Sequence, residues 1–237
     1  FFTVIITLSF MIIFCRHNIK WSNNPKLQLM RGLILLSANL LFFYSISIIS
    51  LAKALTLAFI HPLIVTALSP FILDEKVGLR RWTAVIIGFI GALIVIRPGF
   101  LEFNLASLAA FGCGICYGFY LIITRKLSDT DNPLLTLLFT GVVGAIIMSF
   151  IMPVVWVSPT INQWYMLASI GLVASVAHGF IIISYKMADA SKLAPLGYSE
   201  IITNIIIGYY VFSDFPDIFT FIGLFVIMLS GLYVARK

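Results

Sequence analysis

Long apolar stretches, broken by short clusters of charge, Pro, Asn or Gly, recur along the whole chain. They cover residues 1–14, 29–50, 54–73, 82–97, 105–123, 134–157, 163–183, 192–212 and 218–235. A helix needs about 20 apolar residues to cross the ~30 Å hydrocarbon core of a bilayer, and most of these stretches approach that length. Runs such as AVIIGFIGALIVI are apolar on every face, whereas the strands of a membrane barrel alternate apolar and polar positions. The pattern predicts an all-α polytopic membrane protein with nine visible spans. The connections are short, so consecutive helices should pack as antiparallel neighbours with no soluble domain between them.

Composition agrees. Of 237 residues, 61% are hydrophobic and 10% charged, against about 25% charged in soluble domains. The net charge of +6 does not mark a nucleic-acid partner, because the basic residues are not clustered on one segment. Thirteen of the 15 basic residues, among them Lys76, Arg80, Arg81, Arg125 and Lys186, fall in one set of alternate loops, and only Lys53 and Arg97 fall in the other. Positive charge is retained on the cytoplasmic side. The expected location is therefore a bacterial inner membrane, with the C-terminus cytoplasmic and Phe1 outside. Arg31 counts with the cytoplasmic set, and Lys53 and Lys192 read as anchors at helix starts. Trp156, Trp164 and Tyr165 read as an interfacial belt. Cys113 and Cys116 have CxxC spacing but sit in a glycine-rich apolar run with no second pair and no nearby His, so they read as packing residues rather than a metal site.

Shifting the chain by 139 residues aligns its halves: Gly32-Leu33 on Gly171-Leu172, Ala38 on Ala177, Ser45 on Ser184, Lys53 on Lys192, and the acidic turn at Glu75 on Asp214. The halves divide as 1–104 and 105–237. In this register the 105–123 span has no counterpart before Phe1. The expectation is ten spans, five per half, with the first helix of the first half missing. An odd number of spans per half inserts the halves in opposite senses, the inverted-repeat plan of secondary transporters.

The intramembrane polar residues obey the same shift. His61 falls on Glu200 and Asn39 on His178. Glu200 lies inside the apolar run Leu193–Phe212, where a charge costs about 3 kcal/mol on insertion scales. Gly197, Glu200, Thr203, Asn204 and Gly208 recur at spacings of three and four and share one helix face, with Tyr198 and Tyr210 beside it. That face is expected to line a substrate cavity, with Glu200, His61, Asn39, His178, Tyr198, Thr203 and Asn204 as binding residues. Pro62 and Pro195 each remove a helix hydrogen bond and can open the backbone near the site. Series such as Ala110, Gly114, Gly118 and Ala84, Gly88 are expected to be packing seams.

The strings LAKALTLAFIHPLIVTALSPFILDEKVGLRRWTAVIIGFIGALIVI and ADASKLAPLGYSEIITNIIIGYYVFSDFPD resemble the two halves of an EamA-like member of the drug/metabolite transporter superfamily. The order and length of elements over nearly the whole chain carry the resemblance. It implies ten helices in two inverted five-helix repeats around a central cavity. The segment DASKLAPLGYSE with the later FSDFPD is similar to the S-adenosylmethionine carriers of that superfamily.

The leading expectation is thus a secondary transporter of a small polar or charged metabolite, working by alternating access. Glu200 would bind a cationic group or carry a coupling proton, and exchange of one substrate for another is an alternative source of energy. An S-adenosylmethionine or amino-acid carrier is the narrower alternative. A membrane-embedded enzyme and a passive channel are the others. No HExxH or GxxxxGK signature is present, so neither metal-dependent intramembrane catalysis nor ATP coupling is called for. No cofactor, metal or nucleic acid is implied; the expected partners are the substrate and the bilayer. The topology is tested with single cysteines. Those at Lys53 and Arg97 should react with an impermeant thiol reagent from outside, and those at Arg80 and Arg125 only after the membrane is opened. The reverse pattern overturns the orientation.

Overall fold

A computed structural model describes residues 2–14, 21–49, 51–96, 105–212 and 218–235. Phe1, Cys15, Arg97, Asp214 and Asp217 lie outside the described residues, as do Arg16, Lys20, Arg236 and Lys237. So do the Lys53 side chain and the surroundings of Gly208.

Among the described residues there is helix and no strand. The helices are α1 (Phe2–Phe14), α2 (Pro25–Ile46), α3 (Leu51–Ala58), α4 (His61–Ile72), α5 (Leu79–Ile96) and α6 (Leu105–Ser128). They continue as α7 (Pro133–Val155), α8 (Ile161–Met187), the single turn α9 (Ala190–Leu193), a 3₁₀ turn (Ala194–Tyr198), α10 (Ser199–Phe212) and α11 (Ile218–Ala235). Local chemistry sets the ends. Asn132 caps α7 by accepting a hydrogen bond from the Leu134 N–H, with Pro133 at the first helical position, where a missing N–H costs nothing. Four helices, α2, α6, α7 and α8, are each long and apolar enough to cross a membrane. At 27 residues, α8 is about 40 Å long. The chain is an all-α polytopic membrane protein.

Two of the nine expected spans are not continuous. The 54–73 span breaks at Phe59 and Ile60 into α3 and α4, and the 192–212 span breaks into α9, the 3₁₀ turn and α10. Proline causes both breaks. Pro62 stands in the first turn of α4 and Pro195 in the first positions of the 3₁₀ turn, places where the absent N–H is tolerated and continuation of the preceding helix is not.

The chain forms two compact units, residues 1–36 with 123–187, and residues 37–122 with 188–237. Each draws on both sequence halves. In the first unit, glycines admit close helix contact. A Cβ on Gly32 would lie 2.9 Å from Val143 Cβ, and one on Gly171 would lie 2.5 Å from Phe2 Cβ. Trp156, Trp164 and Tyr165 are exposed near the α7–α8 connection, as expected of a belt. At the opposite helix ends, the Asp131 carboxylate accepts from the Ser22 hydroxyl, from the Asn23 N–H (3.2 Å) and from Gln28 Nε2 (2.7 Å). Burial alone would push the Asp131 carboxyl up. The donors from Ser22, Gln28, Asn23 and Thr130 together outweigh it and hold the group below the ordinary carboxylate value.

The second unit is built round the two breaks. Phe59, Tyr198 and Ile201 form a buried cluster with Leu55 and Phe89 against it. The α6 seam seats the first break: a Cβ on Gly114 would stand 2.5 Å from the Ala58 carbonyl oxygen, and one on Gly118 would stand 2.7 Å from Ile64 Cγ2. The α5 seam seats the second: a Cβ on Gly88 would stand 2.5 Å from the Tyr198 ring. The Ser230 hydroxyl donates to the Ala84 carbonyl (2.5 Å), which ties α11 to α5.

Loop contacts agree with the alternation of charge. Ser22 and Asn23 bond to Asp131 and Thr130, Arg125 and Ser128 donate to the Tyr185 carbonyl, Glu75 accepts from Ala190 and Ser191, and Arg80 donates to the Tyr233 carbonyl. Every one of these contacts joins segments that the basic-residue split assigns to one side of the membrane.

Gly114→Ala should destabilise the protein by about 1–3 kcal/mol through overpacking against backbone. Gly144→Ala, where no atom lies within 4 Å, should gain about 0.5–1 kcal/mol from helix propensity. Thermal unfolding in detergent compares them, and equal midpoints would refute the seam. Asp131→Asn should cost about 1–3 kcal/mol at neutral pH. The folded carboxyl is the stronger acid, so its contribution is present above the ordinary carboxylate range and is lost as pH falls through and below it. The gap between variant and wild type should therefore close in acid; a gap of constant size counts against the network.

Candidate functional site

The two helix breaks place the two repeat-related residues in equivalent positions. His61 is the first residue of α4, and Glu200 lies in the first turn of α10. The sequence put Glu200 in mid-helix; the structure puts it at a helix start inside the membrane span. The helical chain runs through the 3₁₀ turn into α10, and the Ser199 N–H donates to the Leu196 and Gly197 carbonyls, so the turn changes the helix geometry beside Glu200 without leaving an open helix end.

His61 is buried, with 7% of its surface exposed. Its Nδ1 lies 3.1 Å from the Ala58 carbonyl oxygen. A carbonyl only accepts, so Nδ1 carries the proton and a neutral ring keeps an acceptor lone pair on Nε2. Nε2 is turned toward Gly197, where a Cβ would stand 3.3 Å away. The absence of a side chain at Gly197 lets the α4 start and the 3₁₀ turn approach this closely.

Aromatic rings surround His61. Tyr117 meets it edge-on with centroids 5.0 Å apart, Tyr117 stacks on Tyr120 at 5.5 Å, and Phe59 lies 5.8 Å from the imidazole and 6.3 Å from Tyr198. Tyr117 is half-buried and Tyr120 fully buried. Tyr117 and Tyr120 were absent from the sequence-based set. Their signal was present as an i, i+3 aromatic pair on α6, but nothing in the sequence tied that face to His61.

Tyr198 turns inward, with its hydroxyl 3.4 Å from the Val85 carbonyl oxygen and its ring in the Gly88 notch. Glu200 and Thr203 face out of the core of their unit, Asn204 is half-buried, and Asn39 is exposed on α2. The Glu200 carboxylate is close enough to interact with the Asn204 amide, yet no atom stands at hydrogen-bonding geometry to Asn204 Nδ2. No hydrogen bond among the described residues joins Asn39 to His61 or Glu200. The structure thus gathers His61, Tyr198, Gly197 and the start of α10, and leaves Asn39 apart from them.

His178 belongs to the other unit, half-buried on α8 within electrostatic range of Arg31. Arg31 itself is fully buried rather than in a loop. Its guanidinium donates to Thr124 Oγ1 (2.7 Å), the Thr136 carbonyl (3.2 Å) and Thr140 Oγ1 (2.5 Å). The charge sits about two turns inside α2, where sequence reading counted it as flanking. The three threonines, spread over α6 and α7, gave no local cue.

Among the described residues, no group of three His, Cys, Asp or Glu side chains could hold a metal ion. Cys113 and Cys116 are free thiols. A shallow depression of about 330 Å³ at the α7–α8 connection is lined by Val157, Ser158, Pro159, Gln163, Met166 and Leu167, none of them a candidate residue.

Comparison with known proteins adds four findings. The sequence model described as the EamA-like transporter family matches residues 1–97 and 104–236. An S-adenosylmethionine uptake transporter of Rickettsia bellii is 27% identical over 234 residues, covering 99% of this chain and 80% of that protein. A riboflavin transporter of Vibrio cholerae is 30% identical over 185 residues, covering 78% of this chain and 62% of that protein. A solved crystal structure with 16% identity superposes with a TM-score of 0.81 over 99% of this chain and 86% of its own length, a likeness of fold alone. Both named relatives are transporters, which points away from an enzyme.

Proposed function

We propose, from the premise that the chain belongs to the EamA-like transporter family, that this metabolite transporter is a secondary carrier working by alternating access on a small molecule with a flat heteroaromatic ring and a charged group. The observation that carries the proposal is the pair of helix breaks. They fall at positions related by the 139-residue shift, with His61 and Glu200 in the first turn after each. In inverted-repeat transporters, discontinuous helices stand beside the substrate near the midplane.

The proposed roles follow from the chemistry. Glu200 binds the cationic group or carries a coupling proton. His61 offers Nε2 as an acceptor, with Tyr117 as the stacking partner for a ring. Thr203 and Asn204 continue the polar face below Glu200, and Tyr198 holds the break in place. Asn39 and His178, the second repeat-related pair, line the path. S-adenosylmethionine has the required chemistry: an adenine ring, a sulfonium cation, an amine and a carboxylate. The name of the Rickettsia relative supports it as the first substrate to test. The halves 1–104 and 105–237 are proposed as the moving repeats, in a bacterial inner membrane with the C-terminus cytoplasmic. Energy comes from a proton gradient or from exchange.

The test is uptake and counterflow of labelled S-adenosylmethionine, riboflavin and amino acids by vesicles containing the full chain. Glu200→Gln should lower uptake of the preferred substrate by about tenfold or more, the worth of one hydrogen bond to a charged group. If Glu200→Gln and Glu200→Ala both keep wild-type uptake and its pH dependence, the assigned role is wrong.

A further inference from the structure

We infer that Glu75 and Arg81 form a latch that shuts the basic-loop face of the protein, and that this latch must release for substrate to pass. The inference rests on the transporter reading above. The short helix α9 begins the broken span that leads to Glu200, and its first N–H groups need acceptors. Asp189 occupies the N-cap position, yet its side chain does not cap the helix. The cap comes from 115 residues away. The Glu75 carboxylate accepts the Ala190 N–H at 2.8 Å, the Ser191 N–H at 3.0 Å and the Ser191 hydroxyl at 2.8 Å. Arg81 completes the contact, donating to Ser191 Oγ at 2.6 Å and lying 3.6 Å from the Asp189 carboxylate, which also meets Lys192 at 2.7 Å.

The turn between α4 and α5 is shaped for this contact. Asp74 is left-handed, with φ of 54°, a conformation that Asp tolerates better than most residues. It ends α4 and lets the Glu75 N–H turn back to the Ser69 carbonyl (3.4 Å). Arg81 also donates to the Lys76 carbonyl (3.1 Å), which braces the same turn. A loop of the first sequence half is thereby fastened to the entrance of a broken helix of the second.

Release has a ready replacement. Asp is among the strongest N-cap residues, and Asp189 already stands at the position from which it can accept the α9 N–H groups once Glu75 withdraws. The closed state uses Glu75 as cap and holds Asp189 on Arg81 and Lys192; the open state uses Asp189. Neither leaves the helix start without an acceptor, so release of Glu75 does not strand the α9 N–H groups.

Two readouts on the full chain test this, with Cys15, Cys113 and Cys116 replaced by Ala. A disulfide between Glu75→Cys and Ser191→Cys should cut S-adenosylmethionine and riboflavin uptake into vesicles by roughly tenfold or more, and reduction should restore it. Separately, a cysteine at Ala194, which is 4% exposed behind α9, should react with a thiol reagent roughly five- to tenfold faster when Glu75→Gln or Arg81→Ala is added. Unchanged labelling, or uptake by the oxidised protein equal to that of the reduced protein, overturns the latch. Labelling that responds while the chain with native Glu75 and Ser191 takes up none of S-adenosylmethionine, riboflavin and the amino acids counts against the transporter reading and leaves the latch as the contact that closes this face.

Discussion

The contact between Phe59 and Tyr198 is the constraint on which the second unit depends. Each ends a helical segment at a break, and the 139-residue shift carries one onto the other. A residue therefore touches its own counterpart, as residues beside a local twofold axis do. In lipid, burying apolar side chains gains nothing from the exclusion of water, and helices associate through close fit. The rings hold because glycine removes what would obstruct them: Gly88 under Tyr198, and Gly114 and Gly118 under the first break. Once the rings are seated, His61 and Glu200 start their half-helices.

Much of the architecture was legible in composition and spacing. Among the described residues, seven of the nine apolar runs became single helices close to their expected bounds and two were divided, because a span is fixed largely by length and hydropathy. The packing seams were legible for the same reason: Gly114–Gly118 and Ala84–Gly88 recur at one helical turn. The breaks were not. Pro62 and Pro195 announced that hydrogen bonds would be lost, but proline inside a span kinks some helices and divides others. Phe59 and Tyr198, at the two breaks, stand 139 residues apart and meet only in the fold. The candidate residues split along the same line. Glu200 and His61 were visible as polar intrusions in apolar runs, whereas the tyrosines on α6 became relevant only when folding brought that face to the break.

The polar economy differs between the units. In the second, the groups near the breaks keep spare capacity: His61 Nε2 as an acceptor and Asn204 Nδ2 as a donor at no hydrogen-bonding geometry. In the first, Ser22, Gln28, Arg31, Asp131 and the threonines are woven together. The first-unit network is dense but not complete, since Gln28 Oε1 stands at no hydrogen-bonding geometry.

Arg31 has a consequence for how the protein is made. Its hydroxyl partners Thr124 and Thr140 lie 93 and 109 residues further along the chain. At synthesis rates of about 5–20 residues per second, α2 spends roughly 5–20 s without them. During that interval a guanidinium two turns into the helix must reach for lipid headgroups or stay with the insertion machinery. The acceptors of that guanidinium exist only once α6 and the start of α7 have been made. Assembly of the first unit is timed by translation of the middle of the chain.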